Sequence, residues 1–110
     1  TDASALRLLS ALDAIRELDR EVPGQVLVAF LYVASHNNCH KMAMEYDLDM
    51  SSASASRVCD HLSEFHRLGK PGLGLIIKYE DPSNRRKVML KLSPFGESIL
   101  HKMKTQAYGN

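Results

Sequence analysis

No run of about eighteen apolar residues occurs in the 110-residue sequence, so no segment is expected to cross a bilayer as a helix. It opens on no basic stretch followed by an apolar one, so no secretory route is expected and a cytoplasmic location is. Cysteine is scarce. Cys39 and Cys59 alone suit a reducing compartment better than a disulfide-stapled scaffold. His36, Cys39 and His40 lie close together, but no second cluster completes a zinc site, and neither a metal nor another cofactor is expected. No Ser/His/Asp order, paired carboxylates or glycine-rich phosphate loop can be assembled, and His61 and His66 have no partner pattern that suggests catalysis. An enzyme is therefore not expected. Repeats and low-complexity linkers are missing too, which leaves one domain over 1–110 with apolar content for a single modest core.

The net charge is +1, but the halves differ. Residues 1–50 carry four Lys/Arg against eight Asp/Glu, and residues 51–110 carry ten against five. A basic second half is what a phosphate-contacting surface needs, although a solvated face gives the same count. The positions of Arg57, Arg85, Arg86 and Lys87 decide between these readings once the elements are placed.

Ala5, Leu8, Leu9, Leu12, Ile15 and Leu18 recur at helical spacing and predict a first helix over 4–19, capped by Asp2 or Ser4 and stopped by Pro23-Gly24. With Leu6 beside it, this stripe is wider than one helix needs to pack on its own domain, so part of it is expected to face a partner. Pro23 suits the start of a second helix, running to about His36. Val26 to Ala34 is apolar without a break, so this helix should be buried on nearly all sides; a buried strand competes, because Val26, Val28, Phe30, Tyr32 and Val33 favour strands. His36-Asn37-Asn38 reads as a turn.

A short helix reads over 41–48, or from 39 to 46, with Met42, Ala43 and Tyr46 inward, and with Met42 and Met44 as flexible core filler. A polar break at 49–51 follows, in which Met50 is an apolar plug and Ser51 the N-cap of the next helix, expected over 52 to about 67. Ala55, Val58, Cys59, Leu62 and Phe65 share its inward face, Cys59 as a small buried hydrophobe. Ala53, Ser56, Arg57, Asp60, His61 and Glu64 take the other face, flanked by Ser52 and Ser54. Serine is a poor helix stabiliser because its hydroxyl competes for backbone hydrogen bonds. It makes sense at this end if the helix enters a groove: small side chains allow close approach, hydroxyls bond phosphates or base edges, and Arg57 can fork onto guanine. Asp60 and Glu64 repel phosphates, which confines contact to the helix's N-terminal half.

Beyond a glycine-containing connection at 69–74, residues 75–80 and 86–92 alternate with period two around Asp81-Pro82-Ser83-Asn84-Arg85. That is a hairpin, and Arg85-Arg86-Lys87 sit at its tip. Arginine is the residue that narrow minor grooves attract. Ser93-Pro94 opens a last helix over 93–107, with Phe95, Ile99 and Met103 as its apolar line. The fold expected is mainly α with a small β-hairpin wing, a winged helix-turn-helix, and duplex DNA is the ligand it points to. The candidate DNA contacts are Ser51, Ser52, Ser54, Ser56, Arg57, His61, Arg85, Arg86 and Lys87.

Two stretches resemble the MarR family of bacterial winged-helix regulators. Met50-Ser51-Ser52-Ala53-Ser54-Ala55-Ser56-Arg57-Val58-Cys59-Asp60-His61-Leu62 follows the family's leucine-Ser-x-Ser-Thr-Val-Ser-Arg-leucine-Val-Asp-x-Leu. Asp81-Pro82-Ser83-Asn84-Arg85-Arg86 and Leu92-Ser93-Pro94-Phe95-Gly96 follow Asp-Pro-x-Asp-Arg-Arg and Leu-Thr-x-x-Gly. The resemblance implies a homodimer on a pseudo-palindromic operator, with Ser52, Ser54, Ser56 and Arg57 in the major groove and Arg85 or Arg86 in the minor groove. Asn84 stands where the family has the acidic residue that braces the wing arginine. The terminal helices over 4–19 and 93–107 are expected to contribute to dimerisation. They leave little chain for a small-molecule effector pocket, so effector sensing is not expected. An alternative of a different class is a winged-helix module that contacts a protein such as a polymerase or replication factor. Asp60, Glu64 and the near-neutral total charge speak for it.

Overall fold

Asp2 starts the first element by accepting from the backbone N–H groups of Ser4 and Ala5, which a helix start leaves unpaired. In the computed structural model, which describes residues 1–64 and 71–109, α1 then runs Ala3–Arg16. It stops short of residue 19, where the chain turns and the Asp19 carboxylate accepts from Glu21 N–H. Its inward side is Ala11, Ala14 and Ile15. The leucine stripe points elsewhere, with Leu8 62% and Leu6 and Leu9 each 51% exposed.

The apolar run is helical: α2 spans Gly24–Ser35, with Pro23 as its N-cap. Val26, Ala29, Phe30, Tyr32 and Val33 are buried, but Val28 and Leu31 are exposed, so the expectation of burial on nearly all sides does not hold. Asn38 takes a left-handed φ of 65° to close the turn. Cys39–His40 then form a two-residue strand, β1, and α3 spans Lys41–Asp47, with the later of the two expected starts. This start sets the phase of α3 and corrects the inward face. Met44 is fully buried, whereas Met42, Ala43 and Tyr46 are exposed.

Asp49 (φ 53°) makes the turn, and Met50 packs against the core. Ser51 Oγ accepts from Ser54 N–H at 3.1 Å and caps α4, Ser52–Leu62. Ala55, Val58, Cys59 and Leu62 are buried as expected. The helix does not continue toward 67: Ser63 is extended, with ψ −177°. Phe65 and the first residues of the glycine-containing connection lie outside the described residues. Leu73 and Leu75 N–H return to the His61 and Leu62 carbonyls at 2.9 and 2.7 Å, covering acceptors that the end of α4 leaves open.

β2 (Ile76–Asp81) and β3 (Asn84–Leu92) form the hairpin around Pro82-Ser83. The sheet has three strands in the order β1-β3-β2, all antiparallel, so the wing hairpin is fastened to β1 along its inner edge. Ser93 caps α5 (Pro94–Tyr108), whose buried residues are Gly96, Ile99 and Met103. Phe95, expected on that line, is exposed. Helix α1 packs along α5, with Lys102 Nζ 2.9 Å from Glu17 near one end and Arg7 beside Gly109 at the other. The core between these layers holds Ile15, Phe30, Met44, Leu62, Leu75 and Leu90, each fully buried and each contributing about 1.5–3 kcal/mol of transfer free energy.

Candidate nucleic-acid interface

The start of α4 carries side chains that are small and polar. Ser52 and Ala53 are exposed, Ser54 and Ser56 are half-buried, and Arg57 is exposed. Ser51 is exposed but its hydroxyl caps the helix, which makes its first role structural. Arg57 Nη2 donates to Ser54 Oγ at 3.1 Å, one turn back. A guanidinium has further donors, so this contact aims the group while leaving most of its fork open. The free N–H groups of the first turn add partial positive charge at the same end.

Arg85, Arg86 and Lys87 are exposed at the outer end of β3. Among the described residues no carboxylate lies within ion-pair distance of these three or of Arg57. That separates them from Arg16, Lys41, Lys78 and Lys102, which pair with Asp13, Glu45, Asp60 and Glu17. Asn84 Oδ1 accepts from Arg86 backbone N–H at 3.1 Å. The residue at the family's bracing position therefore shapes the turn and leaves the Arg86 guanidinium open. The Asp81 carboxylate accepts from Ser83 N–H and Oγ–H at 2.9 and 2.8 Å, and His40 Nε2 lies 2.8 Å from its other oxygen. These contacts, His40 first, hold the Asp81 carboxyl down at about pKa 2.

Two expectations about α4 change in the folded chain. Lys78 Nζ from β2 lies 2.6 Å from Asp60 Oδ1, so the Asp60 charge is matched and ties the helix to the wing. It does not stand as a bare repulsive carboxylate. His61 Nε2 lies 3.0 Å from Asp19 Oδ2, in the turn that follows α1. The chain thus brings Ser52, Ser54, Ser56 and Arg57 together at one helix end and Arg85 to Lys87 at the wing, and it places His61 against α1's turn. Spacing gave no sign of Lys78, His40 or Asp81 as site-building residues, because their partners come from remote elements.

Tyr32, on α2, donates to Asp47 Oδ2 at 2.6 Å at the end of α3 and stacks on His36, ring centroids 4.2 Å apart. Burial and then the Asp47 carboxylate push the Tyr32 phenol up to about 12, so it stays a donor at any physiological pH. Burial pushes the Cys59 thiol up to about 11 and Cys39 upward as well. His36, Cys39 and His40 engage separate neighbours: Tyr32 and Ser35, the core, and Asp81.

No family model and no curated protein matches the sequence. Solved structures do match in fold. RV1404 from Mycobacterium tuberculosis superposes with a TM-score of 0.72 at 16% identity, over 97% of this chain and 68% of that one. A mutant MarR from E. coli, complexed with operator DNA, gives 0.67 at 12% identity, over 94% and 64%. A MarR-like transcriptional regulator from Thermotoga maritima gives 0.64 at 23% identity, over 79% and 56%. The fold is the MarR-like winged helix, and the chain spans only 56% to 68% of the length of these three proteins.

Proposed function

We propose that the chain is a dimeric, sequence-specific double-stranded DNA-binding transcriptional regulator that works in the cytoplasm on a pseudo-palindromic operator. One observation carries this reading. Arg57, Arg85, Arg86 and Lys87, exposed and without a carboxylate partner among the described residues, lie on the helix and the hairpin that a winged helix-turn-helix turns toward a duplex. The first half of α4 enters the major groove, where Ser52, Ser54 and Ser56 permit close approach and Arg57 reads a base. Arg85, Arg86 and Lys87 lie along the adjacent minor groove. Because Lys78 matches Asp60, groove contact extends further along α4 than an unpaired carboxylate allows. The same pairing removes one support of the protein-interaction reading, the bare Asp60 carboxylate.

Dimerisation falls to the terminal helices. Leu8 and Leu12 of α1, Leu31 of α2 and Leu100, Met103 and Tyr108 of α5 line an open apolar groove of about 670 Å³, and Leu6 and Leu9 are exposed on α1 as well. Contiguous apolar surface of this kind marks an interface. A second copy covers it, and no effector is assigned to it. Selection of bound sequences from a random duplex pool, with the mass of the complex measured, tests the proposal. A recovered palindrome and a mass of two chains are expected, and Arg57→Ala should relax preference at its base by about 1–3 kcal/mol. Failure to bind any duplex overturns the reading.

A further inference from the structure

The basic wing needs a fixed direction if its arginines are to reach one groove while α4 occupies another. A two-stranded hairpin alone does not supply it, being marginal in water. Here the two edge strands are joined across the central one. Tyr79 of β2 donates to Asn38 Oδ1 at 2.8 Å, just before β1, and His40 of β1 meets Asp81 Oδ2 at 2.8 Å, at the end of β2. Both links span β3, since the strand order is β1-β3-β2. A carboxylate only accepts, so His40 Nε2 carries the proton in this contact.

Asp81 is unusually placed. One oxygen holds Ser83 N–H and Oγ–H and so shapes the wing turn, while the other holds His40. His40 is in turn the N-cap residue of α3, the first helix of the helix-turn-helix. One carboxylate therefore connects the wing tip to the start of the element that carries α4.

Resting on the DNA-binding reading above, we propose that His40 is a positioning residue for that binding. Through Asp81 it staples the wing to the helix-turn-helix and sets where Arg85, Arg86 and Lys87 are presented. It touches no DNA itself. His40 is 40% exposed and Asp81 14%, so the link is partly screened and its effect is graded.

The test uses the full chain and two readouts. With a duplex recovered from the random pool, His40→Ala and Asp81→Asn each weaken binding about fivefold, the effect of a half-exposed pair counted in two wings. His40→Lys, which keeps an N–H donor facing Asp81, restores binding to within about twofold. Without DNA, amide exchange over residues 83–88 speeds up in His40→Ala while α4 stays protected. Unchanged wing exchange in His40→Ala overturns the staple, as does loss of α4 protection together with the wing, which makes His40 a general stability residue. If the native chain binds no duplex, the proposed function falls, and the exchange measurement still decides the staple.

Discussion

If the unpaired cations of α4 and the wing meet phosphates, the salt dependence of binding can be worked out from the fold. Arg57, Arg85, Arg86 and Lys87 give four such groups in each chain and eight in a two-chain complex. Each neutralised phosphate contributes about −0.9 to the slope of log K against log salt, so the slope is about −7. Affinity then falls roughly 10⁴-fold between about 50 and 200 mM salt. Arg86→Ala removes two contacts per complex and flattens the slope to about −5, leaving a fall of roughly 10³-fold over the same range. Lys78 provides the contrast, because its charge is already matched by Asp60 at 2.6 Å. The double variant Asp60→Asn with Lys78→Gln keeps the net charge, so its slope should match the native one even if affinity drops at every salt concentration. Fluorescence anisotropy of a labelled duplex, titrated at several salt concentrations, reads both. A native slope in Arg86→Ala, or a flattened one in the double variant, refutes the claim that free rather than paired cations carry the contact.

Three further outcomes follow from the geometry. A Cβ on Gly96 lies 2.0 Å from the Leu75 carbonyl oxygen, so Gly96→Ala forces α5 off the sheet at about 1–3 kcal/mol or more, against a helix-propensity gain of about 1 kcal/mol. Urea denaturation should show a net loss, and a stabilised variant shows the close approach to be absent. Leu8→Gln combined with Leu12→Gln should halve the particle mass measured by light scattering with the circular dichroism unchanged; a retained two-chain mass means this face is not the interface. The Asp81 carboxyl is held at about 2, below its ordinary 3.8, so its stabilising contacts are fully present above about pH 4 and are lost as pH falls toward 2. The stability difference between the native chain and Asp81→Asn should therefore shrink over that window, and a constant difference shows that the carboxylate form is not what the fold favours.

Much of the helix-turn-helix and wing was legible because its signals are local. A cap at Ser51, an inward line of Ala55, Val58, Cys59 and Leu62, and a period-two hairpin around Pro82-Ser83 each lie within a few residues. The phase of α3 was not legible. It depends on Cys39 and His40 pairing with Leu90 and Met89, and a two-residue strand leaves no period to detect. The end of α4 was obscured for a related reason. Its apolar and polar residues keep helical spacing past Leu62, yet the chain turns there because Leu73 and Leu75 return to its last carbonyls. The contacts that join the site's parts were hidden altogether, since Lys78–Asp60, His40–Asp81 and His61–Asp19 connect residues 18, 41 and 42 positions apart. Without them Asp60 looked like a limit on groove contact and His61 like a groove contact.

Leu75 explains how the helix-turn-helix and the terminal helices can act as one body. It is fully buried, its N–H donates to the Leu62 carbonyl at the end of α4, and its own carbonyl accepts from Ser93 N–H at 3.0 Å. Ser93 Oγ also donates to the Gly74 carbonyl at 2.6 Å while capping α5, and Gly96 lets α5 settle against Leu75. One residue is thus bonded both to the last turn of α4 and to the first of α5. On the proposed function, two chains held through α1 and α5 would fix the separation of their α4 helices, which must match about 34 Å for successive major grooves on one side of the duplex. The preferred half-site spacing then belongs to the α1 and α5 contact and not to the wing. Lengthening the turn at Pro82-Ser83 should weaken binding without moving the preferred spacing in a duplex series. Substitutions on the α1 leucine face should abolish the spacing preference, because each α4 would then bind its half-site alone.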